Sequence, residues 1–204
     1  MCGLSYIFGI SFLARFGTIT RMQMRMIIGF IVLFTSSLSW GGEASDVQVF
    51  QDVEGYVAGN FPAGVPAVKT VWPNGALRAQ LHEVLGHNPA LRFKYWGADG
   101  KTVWVLNEVG KDRPITAGVS IRNGQIEDIQ VLVFRESRGW EVKYDFFTRQ
   151  FTNLWLKDTS RLSGDIDNIT GATLSVKAMK RMATAALLLH EHSTQGTSSL
   201  ANAR

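Results

Sequence analysis

Cysteine is almost missing from this sequence: of 204 residues only Cys2 carries a thiol, and it lies ahead of the apolar core of the segment read below as a leader. The rest of the chain therefore has no disulfide framework, no cysteine-ligated zinc or iron–sulfur cluster and no cysteine nucleophile. If it does redox chemistry, a borrowed cofactor must supply it. A basic stripe is missing too. Residues 1–44 take three of the 21 basic side chains (Arg15, Arg21, Arg25) and one of the 17 acidic ones (Glu43), leaving 18 against 16 in the remainder. Nucleic-acid binding wants a concentrated positive face, so no nucleic-acid partner is expected. Metal-ligand spacing is likewise lacking. His190 and His192 have one residue between them rather than helical i, i+4 spacing, and His82 and His87 lie five apart with a single acidic residue, Glu83, and no thiol beside them. The first pair most simply favours the negative pole at the end of the last helix. No internal repeat is present.

A long apolar run is also lacking near the start. Met26 to Phe34 is nine residues, against the roughly 20 that span a bilayer. With "RMQMRM" before it and "SSLSWGGEAS" after it, the run reads as the core of an export signal, with Gly42-x-Ala44 as the cleavage site. Residues 1–44 are thus a signal peptide or a retained N-terminal anchor, and a second apolar piece upstream leaves the start open among Met1, Met22, Met24 and Met26. The location that follows is periplasmic, or anchored in the inner membrane and facing the periplasm.

The remaining residues suffice for one core and one domain. Glu54 to Val68 is rich in Gly and Pro and reads as irregular. A short amphipathic helix is predicted from about Leu77 to Leu85, stopped by Gly86 and Pro89. Then "LRFKYW", "TVWVLNE", "ITAGVSI" and "QIEDIQVLVF" form β-branched and aromatic runs separated by turn residues, an antiparallel meander with Arg122-Asn123-Gly124 as its firmest hairpin turn. Phe147, Phe151, Leu154 and Trp155 lie at helical spacing, and the last helix is predicted from about Leu174 to Glu191 with Ala178, Met182, Ala185 and Leu189 inward. Residues 193–204 read as a disordered tail. The fold class is α+β, an antiparallel sheet packed with helices.

The densest signal is "DIDNITGATLS", Asp165 to Ser175, just where the last helix starts. One reading is a helix cap, with Thr173 or Ser175 accepting a first-turn N–H and Gly171 making the sharp entry. Another is an anion site, in which free N–H groups and the positive end of the helix dipole face whatever Thr173 carries. Small Gly171 and Ala172 would let a large group approach the backbone closely.

These residues resemble the flavinylation motif of the FMN-binding domain family, which includes the FMN-bearing C and G subunits of the sodium-pumping quinone reductase and Rnf complexes. The family pattern is Asp-x-x-Ser/Thr-Gly-Ala-Thr, and Asp167, Thr170, Gly171, Ala172 and Thr173 fill each fixed place. The resemblance extends over about Asp112 to His190 and includes a Glu-x-x-Gly corner at Glu136 and Gly139. It divides the chain into an N-terminal part of the domain, 45–110, and an FMN-binding core, 111–192. It implies FMN joined covalently to Thr173 through a phosphoester, placed there by a separate flavin transferase that uses FAD and magnesium. Asp167 then belongs to the transferase's recognition signal or satisfies the turn's N–H groups. Trp140, Tyr144, Phe147 and Phe151 are aromatic candidates to hold the flavin ring or to fill the core. Arg138 faces ring or phosphate, or is a solvated turn residue. The corner here is Glu-Ser-Arg-Gly where the membrane-complex subunits commonly have Glu-Thr-Pro-Gly, and their longer N-terminal half is absent, so the resemblance is to a small free-standing exported relative. The implied role is an electron-transfer flavoprotein rather than a stand-alone enzyme, with an unidentified redox donor and acceptor, membrane-bound or not. The alternative is a non-redox binding or scaffold module in which the motif only caps a helix.

Overall fold

The computed structural model describes residues 47–201, with side chains through Gln195; the leader, its cleavage site and Cys2 lie outside the described residues. Six strands form one antiparallel sheet: β1 (Gln48–Val49), β2 (Lys69–Val71), β3 (Phe93–Ala98), β4 (Lys101–Val109), β5 (Pro114–Arg122) and β6 (Gln125–Phe134), in the order β1-β6-β5-β4-β3-β2. The meander expected from the apolar runs is its centre, and β4 and β5 pair from Lys101↔Arg122 to Val109↔Pro114. The β5–β6 turn has Asn123 at φ 51° and Gly124 at φ 79°, the paired left-handed conformation that two-residue hairpins require. With β1–β4 on one side of residue 110 and β5–β6 on the other, residues 45–110 and 111–192 share this sheet.

Two helices cover one face. Helix α2 (Gly75–Leu85) buries Leu77, Leu81 and Leu85 and ends at Gly86, whose φ of 76° places it in the left-handed region, a common helix stop. Helix α4 (Thr173–Ala201) packs on β4, β5 and β6 and against α2. All four residues of its expected inward stripe are buried, and burial is continuous from Met182 to His190. Beneath them lie Trp104, Ile115, Val119, Ile121, Ile129 and Phe134. Each fully buried large apolar side chain of this kind contributes about 1.5–3 kcal/mol.

Three sequence expectations are corrected. The Gly- and Pro-rich stretch Glu54 to Val68 is irregular only from Phe61 on: Val53–Asn60 is a helix, α1, capped by the Asp52 carboxylate, which accepts the Gly55 N–H at 2.6 Å. Gly55 and Gly59 disfavour helix locally, but tertiary packing prevails, because Tyr56 and Val57 bury against Val103 and Leu132 on the sheet's second face. Gly118 makes room, since a Cβ there would sit 2.3 Å from the Tyr56 ring. Next, the helix inferred from Phe147 to Trp155 is only α3 (Asp145–Thr148) and a 3-10 turn at Arg149–Phe151. Asn153 at φ 65° turns the chain, and its N–H and the Leu154 carbonyl bond to Ile126. That hands the segment to a small hairpin, β7 (Leu156–Asp158) with β8 (Arg161–Leu162), and leaves Trp155 half exposed. Finally, α4 continues past Glu191 to Ala201, so the segment expected as a disordered tail from residue 193 is helical up to there. The Ser193 and Thr194 hydroxyls fold back onto the His190 carbonyl within it.

Candidate functional site

The motif forms a tight turn feeding α4. The Ala172 N–H donates to the Ile169 carbonyl at 2.9 Å, and Gly171 between them has φ 86°, the third position of a turn type that calls for glycine. Ala172 is buried, and its carbonyl accepts the Val176 N–H. Thr173 is thus the first residue of the helix rather than the residue that precedes and caps it. Its hydroxyl is exposed and accepts a hydrogen bond from Asn168 Nδ2 at 3.0 Å. Thr170 and Asp167 are exposed, and the Asp167 N–H donates to Gln150 Oε1 at 2.7 Å.

Facing this turn is the corner after β6. Gly139 has φ 86°, and a Cβ there would lie 2.3 Å from Ser175 Oγ and 3.5 Å from Ala172 Cβ. The corner is therefore seated directly on the first turn of α4. Glu136 is buried and turns its carboxylate toward the β4–β5 loop, where Oε1 accepts the N–H groups of Lys111, Asp112 and Arg113 at 2.5, 2.9 and 3.1 Å. One carboxylate oxygen thereby fixes the loop that carries Lys111.

Between corner, loop and helix start lies a cleft of about 580 Å³, lined by Lys111, Glu136 to Arg138 and Gly171 to Ser175. It unites Glu136, Gly171, Ala172 and Thr173 of the residues expected from sequence. Gly139 is outside the lining and packs against Ser175, which is part of it. Trp140 is outside the lining, 39% exposed, with its ring edge-on to Tyr144 at 5.6 Å. Phe147 and Phe151 are fully buried and belong to the core; the exposed Leu174 is the apolar side chain at the cleft. Arg138 faces the cleft with Lys111, so two cations meet the end of α4 where backbone N–H groups lack intrahelical partners. Lys111 and Asn168 were not legible as site residues. Lys111 is brought in by a glutamate 25 positions away, and Asn168 occupies a variable place in the motif.

Two histidine readings also change. His190 is not at the pole of α4 but in mid-helix, buried, with Nδ1 2.7 Å from Thr102 Oγ1 and Nε2 accepting the Gly124 N–H at 3.2 Å. Burial pushes its pKa below the usual imidazole value. His87 gains an acidic partner that sequence did not place nearby: Glu108, 3.0 Å away, which also meets Arg181 at 3.3 Å. The hydrogen bond to Glu108 raises the His87 pKa. Among the described residues no group of three or more His, Cys, Asp or Glu could hold a metal ion, and no helix is long and apolar enough to cross a membrane.

Residues 110–188 match the family model of the FMN-binding domain. No curated protein and no solved structure matches the chain significantly.

Proposed function

We propose, from the match of residues 110–188 to the FMN-binding domain, that the chain is a flavin-binding protein with FMN as its cofactor, that FMN is joined to Thr173 through a phosphoester and that the protein serves in electron transfer. The observation that carries this reading is the exposed Thr173 hydroxyl at the first turn of α4, inside a cleft whose other walls bring Lys111 and Arg138. The cleft fits the group: about 580 Å³ lies within the roughly 300–1,000 Å³ of small-molecule sites.

The helix N–H groups and the two cations favour a phosphate on that hydroxyl. Asn168 donates to Thr173 Oγ1, which leaves the hydroxyl hydrogen directed elsewhere; in the proposed attachment the Thr173 oxygen takes the FMN phosphoryl group from FAD, the pyrophosphate bond breaks with AMP leaving, and the hydroxyl proton passes to the transferase rather than to a base of this chain. Gly171 and Ala172 keep the approach to the backbone low. Glu136 holds Lys111 in place through the loop N–H groups, and Leu174 offers apolar surface beside the anchor. When bound, FMN supplies one- and two-electron redox chemistry that the side chains lack. The transferase, dependent on FAD and magnesium, is placed outside the inner membrane, with residues 1–44 taking the domain there; a donor and an acceptor, membrane-bound or soluble, complete the scheme.

The test is flavin fluorescence on a denaturing gel of protein made in a host with the transferase. Wild type is expected to fluoresce, Thr173→Ala to be dark and Thr173→Ser to retain part of the signal. A fluorescent Thr173→Ala beside a dark Thr170→Ala would move the anchor by three residues, and a dark wild type would favour the capping-module alternative. Replacing residues 1–44 with a cytoplasmic start is expected to give a folded, colourless protein.

A further inference from the structure

Strand β1 covers only one end of β6, where Gln48 and Val49 pair with Phe134 and Val133. The chain meets β6 again at its other end, where the Asn153 N–H donates to the Ile126 carbonyl at 2.8 Å. Between these two attachments lies a second cleft, of about 520 Å³, walled by the Phe50 and Tyr144 rings and by four charged side chains, Asp128, Lys143, Asp145 and Arg149. It shares no lining residue with the flavin cleft.

The four charges are held apart from one another. Lys143 Nζ lies 4.2 Å from the Phe50 ring centre, 5.1 Å from Trp140 and 5.3 Å from Tyr144; rings attract the charge but give its N–H groups no oxygen. Asp128 is half-buried and accepts the hydroxyl of buried Tyr56 at 3.3 Å. Burial pushes the Asp128 pKa up, as befits a carboxylate short of compensating charge. Arg149 uses its Nε on the Asp145 carbonyl oxygen at 3.2 Å, not on the carboxylate. The ion pairs of the described residues all lie elsewhere, and none joins any of these four groups.

We propose that this cleft binds a small dipolar molecule, an amino acid or short peptide with free ammonium and carboxylate ends and an apolar side group. The carboxylate falls to Lys143 and Arg149, the ammonium to Asp128 and Asp145, and the side group to the Phe50 and Tyr144 rings. A simple anion would face two carboxylates and a simple cation two basic groups, so only a ligand carrying both signs pairs every charge of the lining. Charge-assisted hydrogen bonds to partly desolvated groups are the strong ones. The volume, about 520 Å³, lies within the roughly 300–1,000 Å³ of small-molecule sites. The inference does not depend on flavin attachment.

Isothermal titration calorimetry of the full chain tests it, with glycylphenylalanine and free phenylalanine as probes beside their N-acetylated and C-amidated forms. Saturable binding of one or both free probes is expected, weakened at least about tenfold by blocking either end, the loss of a charge-assisted hydrogen bond. Asp128→Asn, which keeps an oxygen for Tyr56, is expected to weaken the free probe about tenfold and leave the acetylated one unchanged; Lys143→Met, which keeps the stem, is expected to do the same for the free and amidated probes. Equal affinity for free and blocked forms, affinities that survive both substitutions, or no saturable binding of either free probe would overturn the proposal.

Discussion

Substituting Gly139 by alanine probes the joint on which the cleft depends. Two costs are separable. The residue sits at φ 86°, where a side chain costs about 1–2 kcal/mol. The added Cβ would also sit 2.3 Å from Ser175 Oγ and 3.2 Å from Ser175 Cβ, an overlap of the kind that costs about 1–3 kcal/mol in packed interiors. The expected destabilisation is about 2–5 kcal/mol, measured by guanidinium unfolding at pH 7. Removing the Ser175 hydroxyl relieves the closest contact but not the backbone strain. Gly139→Ala in a Ser175→Ala background is therefore expected to cost about 1–2 kcal/mol less than in wild type, a coupling visible in the double-mutant cycle. If Gly139→Ala fell within about 0.5 kcal/mol of wild type, or the two substitutions were strictly additive, the corner would not be seated on the helix as described.

Gly118→Ala drives a Cβ into the Tyr56 ring without unusual backbone geometry, so a loss of about 1–3 kcal/mol is expected, with faster amide exchange in Val53–Asn60 as the local signature. Glu136→Ala leaves the N–H groups of Lys111, Asp112 and Arg113 without their acceptor; a loss of about 1–3 kcal/mol and faster exchange at those amides are expected, with Glu136→Gln recovering part because it keeps a carbonyl oxygen. The two paired histidines give opposite pH dependences. Below pH ~6.5 the unfolded chain takes up a proton that buried His190 resists, because burial lowers its pKa; stability falls with acid, and His190→Asn should lose less between pH 7 and 5 than wild type. The His87 pKa is raised by its bond to Glu108, so its contribution is complete below pH ~6.5 and disappears as pH rises through the folded value. Its side chain is about half exposed, so the effect is small, and unfolding midpoints of His87→Asn across pH 5–8 measure it.

The meander was legible because its strands alternate and its turns carry Asn and Gly at positions needing positive φ, and α4 was legible because Ala178, Met182, Ala185 and Leu189 keep helical period. What failed depended on distant partners. Nothing local predicts a helix at Gly55 and Gly59; Tyr56 makes it by inserting against Gly118, more than 60 residues on. Phe147 and Phe151 have helical spacing, yet the backbone is drawn away by Ile126 after one turn. At the site, the turn residues announced themselves because Thr-Gly-Ala-Thr imposes its own geometry. Lys111 did not, because only the fold of Glu136 onto the β4–β5 loop places it there.

The most direct test of the central claim is the mass of the protein isolated from a host that has the transferase, taken intact and then as peptides. A mass above that of the polypeptide alone by one FMN less one water is predicted, with the addition confined to a fragment containing Thr173. The bare polypeptide mass, or the same addition mapped to a fragment lacking Thr173, would contradict it.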